Sequence, residues 1–277
     1  MKLTRRMLGA ALGAVVATGM ASSAWAQSAT QGLSSESAIE TIKQDGVIRI
    51  GLSLFVPWSM RDKNGDLIGF ELDVGRKLAE DMGVEVEFVP TAWDGIIPAL
   101  VSGNFDVIIS GMSVTAQRNL TINFTDPYAY SGLAILANKS MTEGMTLEDF
   151  NSPDVTFAAR RGATPAAVIA QNFPEATLLL FDEDGASTQE VLNGNAHASM
   201  AAQPTPNREA GRNPETLIVP FENLYDPRGE AFGVRKGDPD AMNFFNNWIA
   251  QQWRSGWLEQ RHAYWFGTEE WADQVAQ

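Results

Sequence analysis

Cysteine is absent from this chain of 277 residues, and histidine occurs only twice, at His197 and His262. The absence of cysteine excludes disulfide bonds, zinc–thiolate sites and catalysis by a thiol. Neither histidine has a second histidine near it in the sequence, so a metal site is not expected either. A chain of this length buries enough apolar surface without such cross-links. We therefore expect a fold stabilised by its apolar core, with no metal or other cofactor.

Basic residues are few, because 20 Lys and Arg stand against 34 Asp and Glu, and the formal net charge is −14. A protein that binds nucleic acid needs the opposite sign, since it must neutralise phosphates. Nucleic acid is therefore not expected as a partner, and an anionic membrane surface would repel the chain as well. After residue 26 the sequence contains no run of about 18 apolar residues, the length that indicates a membrane span.

The first 26 residues have the pattern of an export signal. Three basic residues precede an apolar stretch from Met7 to Met20, and Ala24 and Ala26 supply the small side chains that signal peptidase requires. We expect cleavage before Gln27, which leaves 17 Lys and Arg against 34 Asp and Glu. The adjacent arginines favour a twin-arginine signal over an ordinary Sec signal, and both alternatives stay open. Either signal predicts an exported, periplasmic protein.

Two series of alternating strands and helices follow the export signal. In the first series, the runs Val47–Gly51, Val84–Val89 and Phe105–Ile109 predict strands, with apolar residues at helical spacing between them. A second series begins after Lys139, and near the end of the chain a strong helix is predicted with one apolar face of Phe245, Trp248, Ile249 and Trp253. This β-α-β order predicts parallel strands covered by helices. The sequence thus predicts two α/β units with a crevice between them, where such sheets bind ligands.

Three segments carry the pattern of a known family, in its order and with its spacing. The first runs from Gly65 to Val74 and contains Gly-Phe-Glu-Leu-Asp-Val. The second runs from Ser110 to Arg118 and is followed by Asn123 to Tyr128, and the third runs from Arg235 to Gly267. Through them the chain resembles the extracellular solute-binding proteins of family 3, which serve polar amino-acid transporters. The resemblance implies an α/β, two-lobed periplasmic-binding-protein fold of type II. Each lobe is then a mixed sheet flanked by helices, and the ligand lies in the cleft.

The resemblance also implies how the chain is divided. Residues 1–26 form the signal peptide, residues 27–132 the first part of lobe 1, residues 133–228 an inserted lobe 2, and residues 229–277 the second part of lobe 1. The implied function is that of the periplasmic substrate-binding component of an ABC importer for an amino acid or a related small carboxylate. Such a protein is not an enzyme. Its expected partners are the small molecule and an ABC permease in the inner membrane, and we expect a monomer.

The expected carboxylate site of lobe 1 follows a predicted buried strand. Ser110, Gly111, Met112 and Ser113 come directly after that strand, and Arg118 offers two parallel N–H donors to a carboxylate. By resemblance, the Ser113 N–H and the Arg118 side chain hold the α-carboxylate of the ligand. Oxygen atoms of Ser110, Met112 or Ser113 would take part of its ammonium. The alternative for Arg118 is a surface residue that pairs with a nearby acid.

In lobe 2, Thr164 is expected as the N-cap of a helix and Pro165 as its first residue. Free N–H groups at that helix start would attract the same anion. Arg161 is expected to lie nearer the cleft than Arg160. The alternative is a well-capped helix without a binding role.

Aromatic residues are expected to enclose the ligand side chain. By resemblance, Phe55 and Trp93 form the two walls, whereas core packing is the default role of any aromatic residue. For Trp58 the two roles stay open.

One position departs from the family pattern. Family members normally carry an aspartate there that neutralises the ligand ammonium, whereas Ala202 or Gln203 occupies the place and no Asp or Glu occurs from Val191 to Arg208. An unpaired buried ammonium is strongly destabilising. We therefore expect a neutral or acidic ligand, or one with a modified or absent α-amino group, in preference to lysine or arginine. The acids left to replace the aspartate lie near the second crossover: Glu222, Asp226 and Glu230.

Two other functions stay open at this level. Some relatives on this scaffold dehydrate prephenate or arogenate, a reaction that needs a cleft acid to protonate the leaving hydroxyl group. No acid stands at a position that the pattern identifies as catalytic, so binding is favoured over catalysis. A sensor domain is the third alternative, and it would require a separate receptor.

Overall fold

The computed structural model describes residues 37–183 and 185–275. The signal-peptide prediction, with its cleavage before Gln27, lies outside these residues. The strands are β1 (Val47–Leu52), β2 (Met60–Arg61), β3 (Leu67–Ile68), β4 (Glu85–Pro90), β5 (Val107–Ile108), β6 (Asn123–Asn138), β7 (Thr156–Arg160), β8 (Thr177–Phe181), β9 (Ala198–Ala202), β10 (Leu217–Ile218) and β11 (Tyr225–Val234). The α-helices are α1 (Ala38–Asp45), α2 (Phe70–Met82), α3 (Ile96–Val101), α4 (Ala116–Asn119), α5 (Thr164–Asn172), α6 (Ala186–Leu192), α7 (Thr205–Arg212), α8 (Pro239–Ser255) and α9 (Trp257–Gly267).

The main sheet is mixed, and its strands follow the order β4-β1-β5-β11-β6-β9-β7-β8. β1 is parallel to β4 and β5, and β7 is parallel to β8 and β9. β6 and β11 are antiparallel to each other and to the strands beside them. Parallel strands need crossover connections, which place helices on the sheet faces. Two parallel blocks are therefore joined through one long antiparallel pair.

The helix α2 lies where the sequence signals indicate. The predicted face of α2 consists of Val74, Leu78 and Met82 at i, i+4 and i+8. Val74 and Leu78 are buried, and Met82 is partly buried against the same apolar core. The helix ends at Gly83, whose φ of 70° is the left-handed conformation that glycine adopts readily at a helix end. Within the described part of the chain, none of the helices is both long enough and apolar enough to cross a bilayer.

The buried side chains form clusters that separate along the chain. Two clusters draw only on residues 38–129 and 232–275, and two others draw only on residues 133–225. The chain passes from the first core to the second within β6 and returns within β11. We propose the sequence-based boundaries, 132/133 and 228/229, as the lobe boundaries, and this separation supports them. Hereafter lobe 1 denotes the elements of the first core and lobe 2 those of the second.

The C-terminal helix α8 packs on lobe 1. Phe245, Trp248 and Ile249 share one buried face, as their spacing predicts. Trp253 was expected on the same face, but it is 36% exposed and its Nε1 donates a hydrogen bond to the Pro127 carbonyl oxygen. An indole at the edge of an apolar face buries one side of its ring and still reaches a polar partner.

Asp238 connects the starts of two helices that are distant in the sequence. Its Oδ1 accepts hydrogen bonds from Ser37 Oγ and from the Ala241 N–H, both at 2.9 Å. Its Oδ2 accepts a hydrogen bond from the Ala38 N–H at 2.7 Å. One carboxylate therefore serves the N-termini of both α1 and α8, where free N–H groups and the helix dipole favour a negative charge.

Replacing Asp238→Ala should lower the free energy of unfolding by about 2–3 kcal/mol. An N-cap side chain contributes about 1 kcal/mol, and two further hydrogen bonds to a charged group are lost. Asp240→Ala is the matched control, because Asp240 lies exposed in the same first turn. It should lower stability by less than about 1 kcal/mol. Urea unfolding followed by circular dichroism measures both, and equal midpoints would contradict the double-capping role.

Candidate functional site

A cavity of about 400 Å³ lies between the two lobes. Lobe 1 contributes Phe55, Trp93 and Ser113 to its wall, and lobe 2 contributes Thr164 and Ala202. These residues lie at or just beyond the carboxyl ends of β1, β4, β5 and β9 and at the start of α5. Open α/β sheets bind ligands in this position, and a cavity of this volume suits a small molecule.

The cavity wall includes six of the ten residues predicted from the sequence: Phe55, Trp93, Gly111, Ser113, Thr164 and Ala202. The other four lie behind the wall or outside it: Ser110, Met112, Arg118 and Arg161. Contact of any of these ten residues with a ligand stays a prediction.

Ser110 and Met112 anchor the loop Ser110–Ser113 through buried contacts. Ser110 is fully buried, and its Oγ accepts a hydrogen bond from the Ser53 N–H at 2.8 Å, which joins the ends of β1 and β5. Met112 is 1% exposed and belongs to the apolar cluster of α3. The Met112 carbonyl oxygen already accepts a hydrogen bond from the Ala231 N–H at 3.2 Å. Both side chains therefore fix the loop, and any ligand contact would be made by their backbone oxygens.

A buried chain of hydrogen bonds holds Gly111. The Gly111 N–H donates to Tyr128 Oη at 2.9 Å, and the Tyr128 hydroxyl donates to Glu71 Oε1 at 2.7 Å. Glu71 belongs to the Gly-Phe-Glu segment that carries the family resemblance. Its complete burial raises the pKa of the carboxyl group to about 8, although the hydrogen bond from Tyr128 acts in the opposite direction. This family segment thus connects α2 to the Ser110–Ser113 loop.

The two aromatic residues of the predicted walls, Phe55 and Trp93, pack against neighbouring side chains. Phe55 stacks on Trp58 with ring centroids 5.5 Å apart. Trp58 is 1% exposed and packs in the lobe 1 core, and it also lines the cavity, so the core role is confirmed and contact with a ligand stays a prediction. The guanidinium groups of Arg118 and Arg160 lie over the Trp93 ring, at 5.3 Å and 5.7 Å from its centroid.

Arg118 lies beside the cavity and bridges the lobes. One terminal nitrogen donates to the Ser113 carbonyl oxygen at 2.9 Å, and the other donates to the Gly162 carbonyl oxygen of lobe 2 at 3.3 Å. Burial, followed by repulsion from Arg228, lowers the pKa of Arg118 to about 10. The guanidinium is still charged at neutral pH, so it supplies positive potential next to the Ser113 loop.

Arg160, and not Arg161, lies on the cavity wall, so the expectation for Arg161 is wrong. Arg160 reaches across the cleft and donates a hydrogen bond to Ser53 Oγ at 2.9 Å. Arg161 points to the surface, where its Nε and Asp182 Oδ1 form an ion pair at 2.7 Å. Arg160 is the last residue of β7, and successive side chains of extended backbone point to opposite sides. A shift of one residue therefore exchanges a cavity residue for a surface residue.

The helix start in lobe 2 is displaced by one residue from the prediction. α5 begins at Thr164, and Ala163 is its N-cap residue, so Thr164 does not cap the helix and its side chain makes no capping hydrogen bond. Helix boundaries commonly differ by a residue or two, because the first turn has few defining hydrogen bonds. Ala163, Thr164 and Pro165 all line the cavity. Pro165 has no N–H, and the Ala163 N–H donates to the Arg160 carbonyl oxygen at 3.3 Å. This helix start therefore offers the cavity the Thr164 N–H and the positive end of the helix dipole.

Among the described residues, three acids lie on the cavity wall: Glu183, Glu209 and Glu230. Glu183 is exposed, and of the three only Glu230 is among the acids that the sequence offers in place of the missing aspartate. Glu230 is 2% exposed, and burial raises the pKa of its carboxyl group to about 7 although Ser131 Oγ donates to Oε1 at 2.6 Å. Glu209 pairs with Arg208, which also lines the cavity, at 2.9 Å. The feature of the sequence that could have indicated a cavity position for Glu230 is that it is the single charged residue at the start of an apolar strand segment, Glu-Ala-Phe-Gly-Val.

The cavity thus presents charges of both signs beside apolar surface. Arg160 and the α5 N-terminus favour an anion, Glu230 favours a cation or a hydrogen-bond donor, and Phe55 and Trp93 offer aromatic faces. Among residues 37–183 and 185–275, no three or more His, Cys, Asp or Glu side chains are arranged to hold a metal ion. The donor set suits a small molecule that carries both signs of charge.

Residues 48–268 match the model of the bacterial extracellular solute-binding proteins, family 3, and the chain belongs to this family. Its fold is the two-lobed type II periplasmic-binding-protein fold. The L-cystine-binding protein TcyJ of Escherichia coli (strain K12) is 27% identical over 237 residues, which cover 84% of this chain and 88% of that protein.

Two further similarities bear on the activity. The cyclohexadienyl dehydratase of Pseudomonas aeruginosa is 26% identical over 232 residues, which cover 83% of this chain and 86% of that enzyme. The lysine complex of an ABC-transporter binding component from Wolinella succinogenes is 33% identical, with a TM-score of 0.78, and the match covers 82% of this chain and 99% of that one. The proteins similar to this chain thus include binding proteins together with an enzyme.

Replacing Gly111→Ala should destabilise the protein by about 2–4 kcal/mol, because strain and a steric clash act together. Gly111 has a φ of +50°, and an added Cβ would lie 2.5 Å from the Phe55 ring, which is itself held against Trp58. Gly95→Ala is the control, since that glycine has a φ of −91° and open space around it. Thermal and urea unfolding should show a large loss for the first variant and almost none for the second. An unchanged midpoint for Gly111→Ala would contradict the tight contact.

Proposed function

We propose that this protein is the periplasmic substrate-binding component of an ABC importer for an amino acid. The observation that carries the proposal is the cavity between the lobes, whose wall combines aromatic faces, positive groups and a buried acid. Membership of a family of extracellular binding proteins supports it, and the relatives TcyJ and the Wolinella succinogenes protein are binding proteins. Periplasmic location, the inner-membrane permease as partner and the monomeric state are parts of the proposal.

We propose that the carboxylate of the ligand binds at the lobe interface beside Ser113. The Ser113 N–H, Arg118 and the N-terminus of α5 approach this region from both lobes, and Arg160 adds a further positive charge. Groups that converge from both lobes favour closure on the anion, because each lobe gains the interaction only in the closed state. This arrangement supports the anion clamp predicted from the sequence, with Arg160 in the place given to Arg161.

A neutral or acidic amino acid fits the wall better than lysine or arginine. Glu209 is already paired with Arg208, so Glu230 is the buried acid left for a ligand cation. Lysine or arginine would bring a second positive group, which Arg160 would repel. The lysine complex of the related binding component belongs to that protein, and its specificity is not carried over here.

A second candidate function is a dehydratase, and one observation favours it. Glu230 lies on the cavity wall with a pKa raised to about 7, which suits a general acid at neutral pH. The Pseudomonas aeruginosa relative is a cyclohexadienyl dehydratase. Binding remains the better-supported proposal, because the pKa of one buried acid does not define the geometry of a reaction.

A thermal-shift screen should identify the ligand. The panel contains the twenty L-amino acids, L-cystine, prephenate and arogenate. At about 100 times its Kd, a ligand stabilises the folded state by about 2.7 kcal/mol, which corresponds to a rise in Tm of roughly 5–10 °C for a chain of this size. We expect the largest rise from a neutral or acidic amino acid, without turnover. Conversion of prephenate or arogenate, followed by product absorbance, would replace the proposal with the enzyme.

Truncation of two arginines should weaken binding of the panel's tightest amino acid. Arg118→Ala and Arg160→Ala should each raise Kd about tenfold or more, since each removes a charge beside the proposed carboxylate site. Arg161→Ala is the matched control, because that side chain lies at the surface, and its Kd should change less than about threefold. Titration calorimetry decides the point. A larger effect at Arg161 than at Arg160 would contradict the placement.

A further inference from the structure

Of the two residues that the sequence offers in place of the family aspartate, Ala202 lines the cavity and Gln203 is not on its wall. Ala202 ends β9 and lines the cavity with a methyl group, and no acid occurs between Val191 and Arg208. A ligand ammonium enclosed here would have no counter-charge from β9. Since an unpaired ammonium is unfavourable in such a site, another acid must serve, or the ligand must lack the ammonium.

The sequence leaves three acids near the second crossover as possible replacements for the missing aspartate. Their exposure and their positions relative to the cavity distinguish them in the structure. Glu222 is exposed and is not on the cavity wall. Asp226 forms an ion pair with Arg228 and is also absent from the wall. Glu230 lines the cavity and is 2% exposed. Among the three acids, only Glu230 is available to a bound molecule.

The Glu230 carboxylate has unused hydrogen-bonding capacity. Its Oε1 accepts a hydrogen bond from Ser131 Oγ at 2.6 Å, whereas no described residue donates a hydrogen bond to the buried Oε2. A buried acceptor without a donor is destabilising, and a charged carboxylate is more so. This burial raises the pKa of Glu230 to about 7. A cationic donor from a ligand would satisfy Oε2 and stabilise the charged form of the carboxylate.

Glu230 also stands beside the residue expected to bind the ligand carboxylate. Ser113 and Glu230 form an antiparallel bridge, so the two residues lie directly opposite each other on neighbouring backbone segments. Residues directly opposite in an antiparallel pair have their Cα atoms about 4.5–5.5 Å apart and their side chains on the same face. The carboxylate and ammonium of an α-amino acid are attached to a single carbon atom. A ligand with its carboxylate at Ser113 therefore has its ammonium within reach of Glu230.

We propose that Glu230, on the strand that returns from lobe 2 to lobe 1, binds the ammonium group of the ligand in place of the missing lobe 2 aspartate. The inference rests on the proposed function and deepens it, because it assigns an α-ammonium to the ligand. It thereby replaces the earlier expectation of a modified or absent amino group, and it keeps the preference against cationic side chains.

Glu230→Gln tests the inference, with Glu222→Gln as the matched control. The probes are the twenty L-amino acids and L-cystine, together with the 2-hydroxy acid that corresponds to whichever of them binds most tightly. Titration calorimetry at pH 8, above the pKa of Glu230, gives Kd for the wild type and both variants. The 2-hydroxy acid retains the carboxylate and side chain but has a hydroxyl group instead of the ammonium.

We expect Glu230→Gln to weaken the tightest amino acid at least about thirtyfold and the 2-hydroxy acid by less than about threefold. Glu222→Gln should leave both unchanged. Equal losses for the two probes in Glu230→Gln would assign Glu230 a structural role and overturn the inference, as would an unchanged affinity for the amino acid. A wild type that prefers the 2-hydroxy acid would also overturn it. Each of these results would leave the proposed function as an amino-acid-binding protein intact. A wild type that binds no amino acid would instead contradict the proposed function.

Discussion

The antiparallel pairing of β6 with β11 is the contact on which both the fold and the cavity depend. These two strands, Asn123–Asn138 and Tyr225–Val234, are the segments in which the chain leaves one apolar core and returns to it. Rotation of one lobe against the other must bend this pair, since the backbone of both strands is continuous between the cores. Groups carried on the lobe 1 end of the pair keep their position relative to the Ser113 loop. Glu230, bridged to Ser113, is such a group.

Local patterns predicted most of the fold, because each strand and helix buries one face. The spacing of Val74 and Leu78 was sufficient for α2, and the apolar run at Phe105–Ile109 placed the Ser110–Ser113 loop at a sheet end. Predicted strand ends differ from the observed ones by a residue or two. That error is harmless within an element, but at the end of β7 it was enough to place Arg161 in the cleft instead of Arg160. Side chains alternate along extended backbone, so orientation at a strand end depends on the exact register.

Long-range contacts could not be predicted from the sequence. Nothing in local periodicity indicates that Tyr128 connects Glu71 to the Gly111 N–H, although these residues come from two of the segments that carry the family pattern. Nor does it distinguish Glu230 from Glu222 and Asp226, which all follow Val219 without an obvious pattern. Their difference arises from the strand pairing. It places Glu230 opposite Ser113, and leaves Glu222 exposed and Asp226 paired with Arg228.

An ammonium site on Glu230 changes what closure of the lobes must achieve. Where the acid belongs to lobe 2, the ammonium gains its counter-charge only when that lobe arrives. With Glu230 beside Ser113, both charged ends of an amino acid can be held on the lobe 1 side before closure. Lobe 2 then contributes Arg160 and the N-terminus of α5, which are both positive.

Because a ligand shifts the equilibrium only through groups that interact more favourably in the closed state, closure would depend on the anionic part of the ligand. A cationic side chain directed at Arg160 would oppose closure, which gives the preference for neutral or acidic amino acids a conformational as well as an electrostatic origin.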